Sequence, residues 1–134
     1  MTEAEARREQ QVLALFEAFG KGGEALHAAI REVFADTCVW WNGVLVTTTG
    51  PEEAIAVMVG AEERGVHSID FEVRHLAVRG DVVLSERVDH GRGADGTLRW
   101  SVPVTGVFEF EGDKLVAWRE FFDSSLVANP HQAD

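Results

Sequence analysis

Apolar positions recur at helical spacing through the first half of the chain and alternate through the second. Val12, Phe16 and Phe19 fall on one face of a helix. Thr2 and Glu5 open it with the spacing of a capping box, and Gly20 and Gly22-Gly23 close it. A second helix is predicted over 24–35, with Leu26, Ile30, Val33 and Phe34 on its buried side, and a short strand follows over 37–42. Thr47, Thr48, Thr49, Gly50 and Pro51 then open a third helix, where proline suits the first turn and Glu52 and Glu53 sit near the positive end. Ile55, Met58 and Val59 form its apolar stripe, and Gly65 ends it.

From residue 69 onward the period falls to two. A strand over 69–79 puts Phe71, Val73, His75 and Ala77 on one face, and Arg79-Gly80-Asp81 turns it into the next strand, 82–90. Gly91, Gly93 and Gly96 belong to a hairpin loop; no helix follows them, so they form turns rather than a phosphate cradle. Strands over 98–110 and 114–122 are joined by a turn at Glu111-Gly112-Asp113. Pro103 cannot donate to a ladder, and a bulge or bend is expected there. The tail from Asp123, with Asn129-Pro130-His131, is expected to be loose or a short closing helix. Helices first and a meander of long strands afterwards is an α+β pattern. Strands of this length suggest a curled sheet, a cone whose interior pocket the helices close.

Composition narrows the field. One domain, 1–134, is the expected organisation for 134 residues, and 46% hydrophobic with 26% charged residues is the balance of a soluble globular chain. The formal net charge of −11, with only 12 Lys and Arg, argues against a nucleic-acid partner. No apolar run is long enough to span a membrane and no signal-peptide pattern opens the chain, so the cytoplasm is the expected compartment. The lone Cys38 agrees with a reducing environment. It lacks metal-ligand company, His67 and His75 have no second ligand at a useful spacing, His27 and His131 fall in solvent-prone segments and His90 faces away from Asp89, so no metal is expected.

The candidate chemistry lies in the strand Val82-Val83-Leu84-Ser85-Glu86-Arg87-Val88-Asp89-His90. Arg87 and Asp89 share a face, and Val83 precedes them on it. Trp118 and Glu120 share a face of the last strand. If those faces meet, an arginine sits between two carboxylates inside a partly apolar cavity. Leu84, Glu86 and Val88 point the other way, and two apolar residues there suggest a second subunit covering that side, a homodimer.

These runs, with Trp40-Trp41-Asn42, Val102-Pro103-Val104-Thr105-Gly106-Val107-Phe108 and Trp118-Arg119-Glu120-Phe121-Phe122-Asp123, resemble the limonene-1,2-epoxide hydrolase family. The resemblance spans most of the chain and implies the cone-shaped fold of nuclear transport factor 2-like and SnoaL-like proteins, usually as dimers. By that resemblance Asp89 takes the position of the acid, Arg87 the bridge and Glu120 the base, while Asn42 and Trp40 take the water-holding positions. Two departures stand out. The base is usually aspartate, and glutamate reaches about 1.5 Å further. Position 40 is usually tyrosine, whose hydroxyl donates and accepts where an indole only donates; the chain contains no tyrosine.

The implied reaction is cofactor-independent opening of a small hydrophobic epoxide to a vicinal diol, by direct attack of water and without a covalent intermediate. One carboxyl must be protonated and the other ionised, and their surroundings can separate the two pKa values. Trp100, Val102, Val104, Trp118 and Phe122 are expected to line the pocket. The plain alternative for Arg87, Asp89 and Glu120 is a structural ion network. Two further readings keep the fold: an epoxide-opening cyclase, in which a substrate hydroxyl replaces water, and a binding module without catalysis.

Overall fold

The computed structural model describes residues 1–126. The tail expectations at Asn129, Pro130 and His131 lie outside the described residues. Helix α1 (Glu3–Lys21) begins with the expected capping box between Thr2 and Glu5 and ends at Gly22, whose φ of 69° a side chain would resist. Helix α2 (Gly23–Val33) follows at once. Strand β1 (Phe34–Asn42) starts three residues earlier than the sequence pattern indicates, so Phe34 is buried from a strand rather than from a helix.

The three threonines also differ from expectation. Thr47–Thr49 fall in strand β2 (Val46–Thr49), which pairs antiparallel with β1, and helix α3 (Pro51–Glu63) begins only at the proline. Consecutive β-branched residues favour extended backbone, and that preference prevails over their capping chemistry.

Strands β3 (Ser68–Arg79), β4 (Val82–Arg92), β5 (Leu98–Glu111) and β6 (Lys114–Phe121) complete one six-stranded sheet in the order β2-β1-β6-β5-β4-β3. The β1–β6 pair is parallel and every other pair antiparallel, so the curved, unclosed sheet is mixed. Two expectations about faces are corrected. The β3–β4 register shifts between Val73 and His75, leaving Arg74 as the extra residue of a bulge. Phe71 and Val73 therefore pack on the core before it and Leu76 and Val78 after it, while His75 and Ala77 face outward. At Pro103 the β4–β5 register is unbroken, and among the described residues the ladder to β6 begins only at Thr105, so the proline lies where β5 pairs on one side.

The core lies between α1 and the concave sheet face. Val12, Leu15, Phe16 and Phe19 of α1 descend onto Phe71, Phe108 and Trp118. Trp118 is wholly buried, stacked on Trp40 and Phe108 with centroids 5.0 Å away in each case. Aromatic pairs of this kind contribute about 0.5–1.5 kcal/mol each beyond their buried area. His27, expected near solvent, lies on the buried side of α2 with Leu26 and Ile30. No helix among the described residues is long and apolar enough to cross a membrane.

Candidate active site

Alternation along β4 sends Val83, Ser85, Arg87 and Asp89 inward. The ladders then set their neighbours. Ser85, Gly106, Glu120 and Asn42 stand in one row across β4, β5, β6 and β1. Arg87 pairs with Val104, Asp89 with Val102 and Gly91 with Trp100.

Arg87, only 1% exposed, is the hub. Its Nε and Nη2 donate to the two oxygens of Asp89 at 2.9 and 2.8 Å. Nη2 also donates to Glu120 Oε1 at 2.5 Å, and Nη1 to Ser85 Oγ at 2.9 Å. The guanidinium lies against both Phe71 and Phe16, whose ring centroids are 4.5 and 5.0 Å from its central carbon and 4.5 Å from each other. Burial opposes its charge, but Glu120 and Asp89 outweigh that and hold it protonated above its ordinary range.

Gly106 makes the meeting possible. A Cβ there would lie 2.5 Å from Glu120 Oε2 and 2.6 Å from Arg87 Nη1. The side chain of Glu120 thus crosses over β5 through the space a larger residue would fill. Gly91 has a similar relation to Trp100, whose indole occupies the place of a Cβ and so lies beside Asp89 on the inner wall.

The Trp118 indole donates to the Glu120 carboxyl, whereas the buried indole nitrogen of Trp40 has no partner among the described residues. Burial pushes the Glu120 carboxyl up to about 7 despite the opposing influence of Arg87. A carboxyl poised near neutrality suits proton transfer.

Asp89, Arg87 and Glu120 are therefore brought together, with Asn42 beside Glu120 and Trp40 beside Trp118 in the parallel ladder. Trp100 is half-buried, Val102 and Val104 are buried on the inner face, and Phe122 is half-buried with its ring against Gly43. Trp118 belongs to the aromatic core. Phe16 and Phe71 also line a groove of about 380 Å³ between α1 and β3, together with Leu13, Glu17, Gly20, Asp70 and Val73. The sequence reading missed Ser85, Gly106 and this aromatic pair. Ser85 was open to the same two-residue alternation that selected Arg87 and Asp89, and a glycine inside a β-branched strand is a known sign of close approach.

The model of the limonene-1,2-epoxide hydrolase catalytic domain matches residues 7–129. The chain belongs to this family. Among solved structures it is similar to an LEH-like epoxide hydrolase from M. tuberculosis, with 21% identity, TM-score 0.78, and 97% of this chain and 88% of that one covered. A candidate SnoaL-like polyketide cyclase from Jannaschia sp. CCS1 shares 20% identity over 100% of this chain and 97% of its own, with TM-score 0.80. A second such cyclase candidate, from Shewanella denitrificans OS-217, shares 18% identity over 95% and 98%, with TM-score 0.77. At these identities the likeness establishes the SnoaL-like and NTF2-like fold of this limonene-1,2-epoxide hydrolase family member.

Proposed function

We propose that this family member hydrolyses a small hydrophobic epoxide to a vicinal diol, with Asp89, Arg87 and Glu120 as the catalytic group. The observation that carries the reading is one buried arginine holding two carboxyls that are bonded unequally. Epoxide opening requires a proton for the ring oxygen and a base for the attacking water, and two carboxyls in unlike surroundings supply both. Asn42 and Trp40 are proposed to help place the water, and Trp100, Val102, Val104, Trp118 and Phe122 to form the apolar wall. The register supports that wall, since Val102 and Trp100 lie opposite Asp89 and Gly91.

The outer sheet face, with Leu84 and Phe121 about half-exposed, is proposed to pair with a second copy of the chain. The catalytic reading is tested by incubating the protein with cyclic and terpene-like epoxides and measuring diol. Diol formation that disappears in Asp89→Asn supports it; no diol from a folded protein contradicts it.

One observation favours a second reading. Trp40, where the family usually has tyrosine, is 4% exposed and stacked on Trp118, and its N–H can only donate. A less securely held water would suit an epoxide-opening cyclase, which would convert a hydroxy-epoxide to a cyclic ether in preference to a diol.

A further inference from the structure

The rings of the inner core are engaged with one another. Phe16 and Phe19 lie against Phe71, and Trp118 stacks between Trp40 and Phe108. Trp100, half-buried at the end of the same inner face, has no ring stacked on it among the described residues. Its indole lies on a glycine instead. Trp100 and Gly91 are direct partners in the β4–β5 ladder. A Cβ built on Gly91 would meet Trp100 Cε2 first, and Cζ2 and Cδ2, both bonded to Cε2, at 2.6 and 2.8 Å. An approach at the ring edge would leave those two neighbours much further away than Cε2. The missing Cβ therefore lies over the ring plane. One face of the indole rests flat on β4, and the other is turned into the interior.

That second face stands beside the carboxyl pair. Gly91 follows Asp89 by two residues on the inner side of β4, a step of about 7 Å. The row through Gly91 holds Ile69 and Trp100, and the row through Asp89 holds Phe71 and Val102. Apart from Asp89 itself, every side chain in those two rows is apolar. An indole face is a flat, electron-rich plate. Another aromatic ring gains offset stacking on it in addition to buried area, whereas a saturated ring of similar size gains chiefly the area.

We propose that the substrate is an aryl epoxide, with its aromatic ring resting on the free face of Trp100 and its oxirane over Asp89. A ring carried directly on the oxirane suits the short step from Asp89 to Gly91. Gly91 belongs to the device, because any side chain there would lift the indole from the strand and tilt its free face. The proposal names a substrate class for the hydrolase reading and rests on that reading for the reaction. The binding preference does not depend on it.

The test uses styrene oxide and cyclohexyloxirane, which differ only in the saturation of the ring, and the two diols derived from them. In the wild type the phenyl diol should bind more tightly than the cyclohexyl diol and shift the Trp100 indole N–H resonance, assigned from Trp100→Phe. Trp100→Leu and Gly91→Ala should each reduce that preference roughly 3–10-fold in the ratio of diol Kd values. Where epoxide is turned over, the ratio of kcat/KM values should fall by a similar factor, through KM more than kcat. Comparing each ratio with that of the wild type cancels the different reactivity of the two epoxides. Trp100→Phe, which keeps a ring, should retain most of the preference. No phenyl preference in the wild type, a preference that survives Trp100→Leu, or a Trp100 resonance unmoved by the phenyl diol overturns the proposal, whether or not epoxides are hydrolysed. Phenyl-selective binding at Trp100 with no diol from either epoxide would retain the aryl shelf and lose the hydrolase reading.

Discussion

On the inner face of β4, the Arg87 side chain is completely buried and its bonds to Asp89 and Glu120 span 2.5–2.9 Å. One residue along, on the outer face, Glu86 bonds His75 at 2.8 Å with side chains 59% and 85% exposed. His90 on that same face joins Glu72 at 2.9 Å and Ser101 at 2.7 Å. The bond lengths are alike, but the surroundings are not. Water and salt screen the outer pairs, whereas removal of water magnifies each charge inside. The hydrogen-bonded serine, histidine and glutamate outside lie on a face exposed in the single chain, while inside the guanidinium rests against two aromatic rings beside a carboxyl poised near neutrality. Burial, more than residue type, separates a chemical site from a surface contact.

The largest expected contrast is in turnover. Asp89→Asn and Glu120→Gln should each lower diol formation by ~10²–10⁴-fold with the fold preserved. Glu86→Gln and His90→Ala should leave turnover close to wild type. Equal losses from the two faces would break the comparison.

Stability should separate the faces next. Arg87→Met leaves two buried carboxyls without their cation, and urea unfolding should show a loss of ~3–5 kcal/mol. His75→Ala should change the midpoint of the dissociated chain little, because its contact is exposed in the single chain.

The pH dependence has opposite signs on the two sides of the sheet. The Glu120 carboxyl is raised from 4.5 to about 7, so the folded chain binds its proton more tightly than the unfolded chain does. The stability this contributes is full below about pH 4.5 and is lost as pH rises through 7, by roughly 3 kcal/mol. Relative to Glu120→Gln, the wild type should therefore become less stable across that window. Glu72, lowered chiefly by its hydrogen bond from His90, contributes in the reverse sense and loses its contribution as pH falls. Unfolding measured against pH in Glu120→Gln and in Glu72→Gln, each relative to wild type, reports both signs.

A smaller effect is expected at Gly106. Its replacement by alanine should cost ~1–3 kcal/mol and reduce turnover, because the new Cβ contacts Glu120 and Arg87. A Gly106→Ala variant of wild-type stability and activity would show that the two side chains meet without that gap.

Local chemistry in the sequence specified much of this arrangement. Thr2 and Glu5 mark the start of α1 because both halves of the capping box lie within one turn. Arg87 and Asp89 share a face because alternation requires it, and Val82 to Arg92 is an uninterrupted strand. What could not be read depends on partners distant in the chain. The bulge at Arg74 reverses the faces of His75 and Ala77, and it exists only in the pairing with β4. The reach of Glu120 to a residue 33 positions away depends on Gly106 in the intervening strand. At Thr47–Thr49 two local signals competed, and the pairing with β1 decided for a strand.

A single turnover of an epoxide in isotope-labelled water, with protein in excess, tests the central claim most directly. Attack by water at the buried carboxyl pair predicts a diol carrying the label on carbon from the first turnover, formed ~10²–10⁴-fold more slowly by Glu120→Gln. An unlabelled first-turnover diol, with label later found in the Asp89 or Glu120 carboxyl, would mean a covalent ester and contradict the account, as would the absence of any diol.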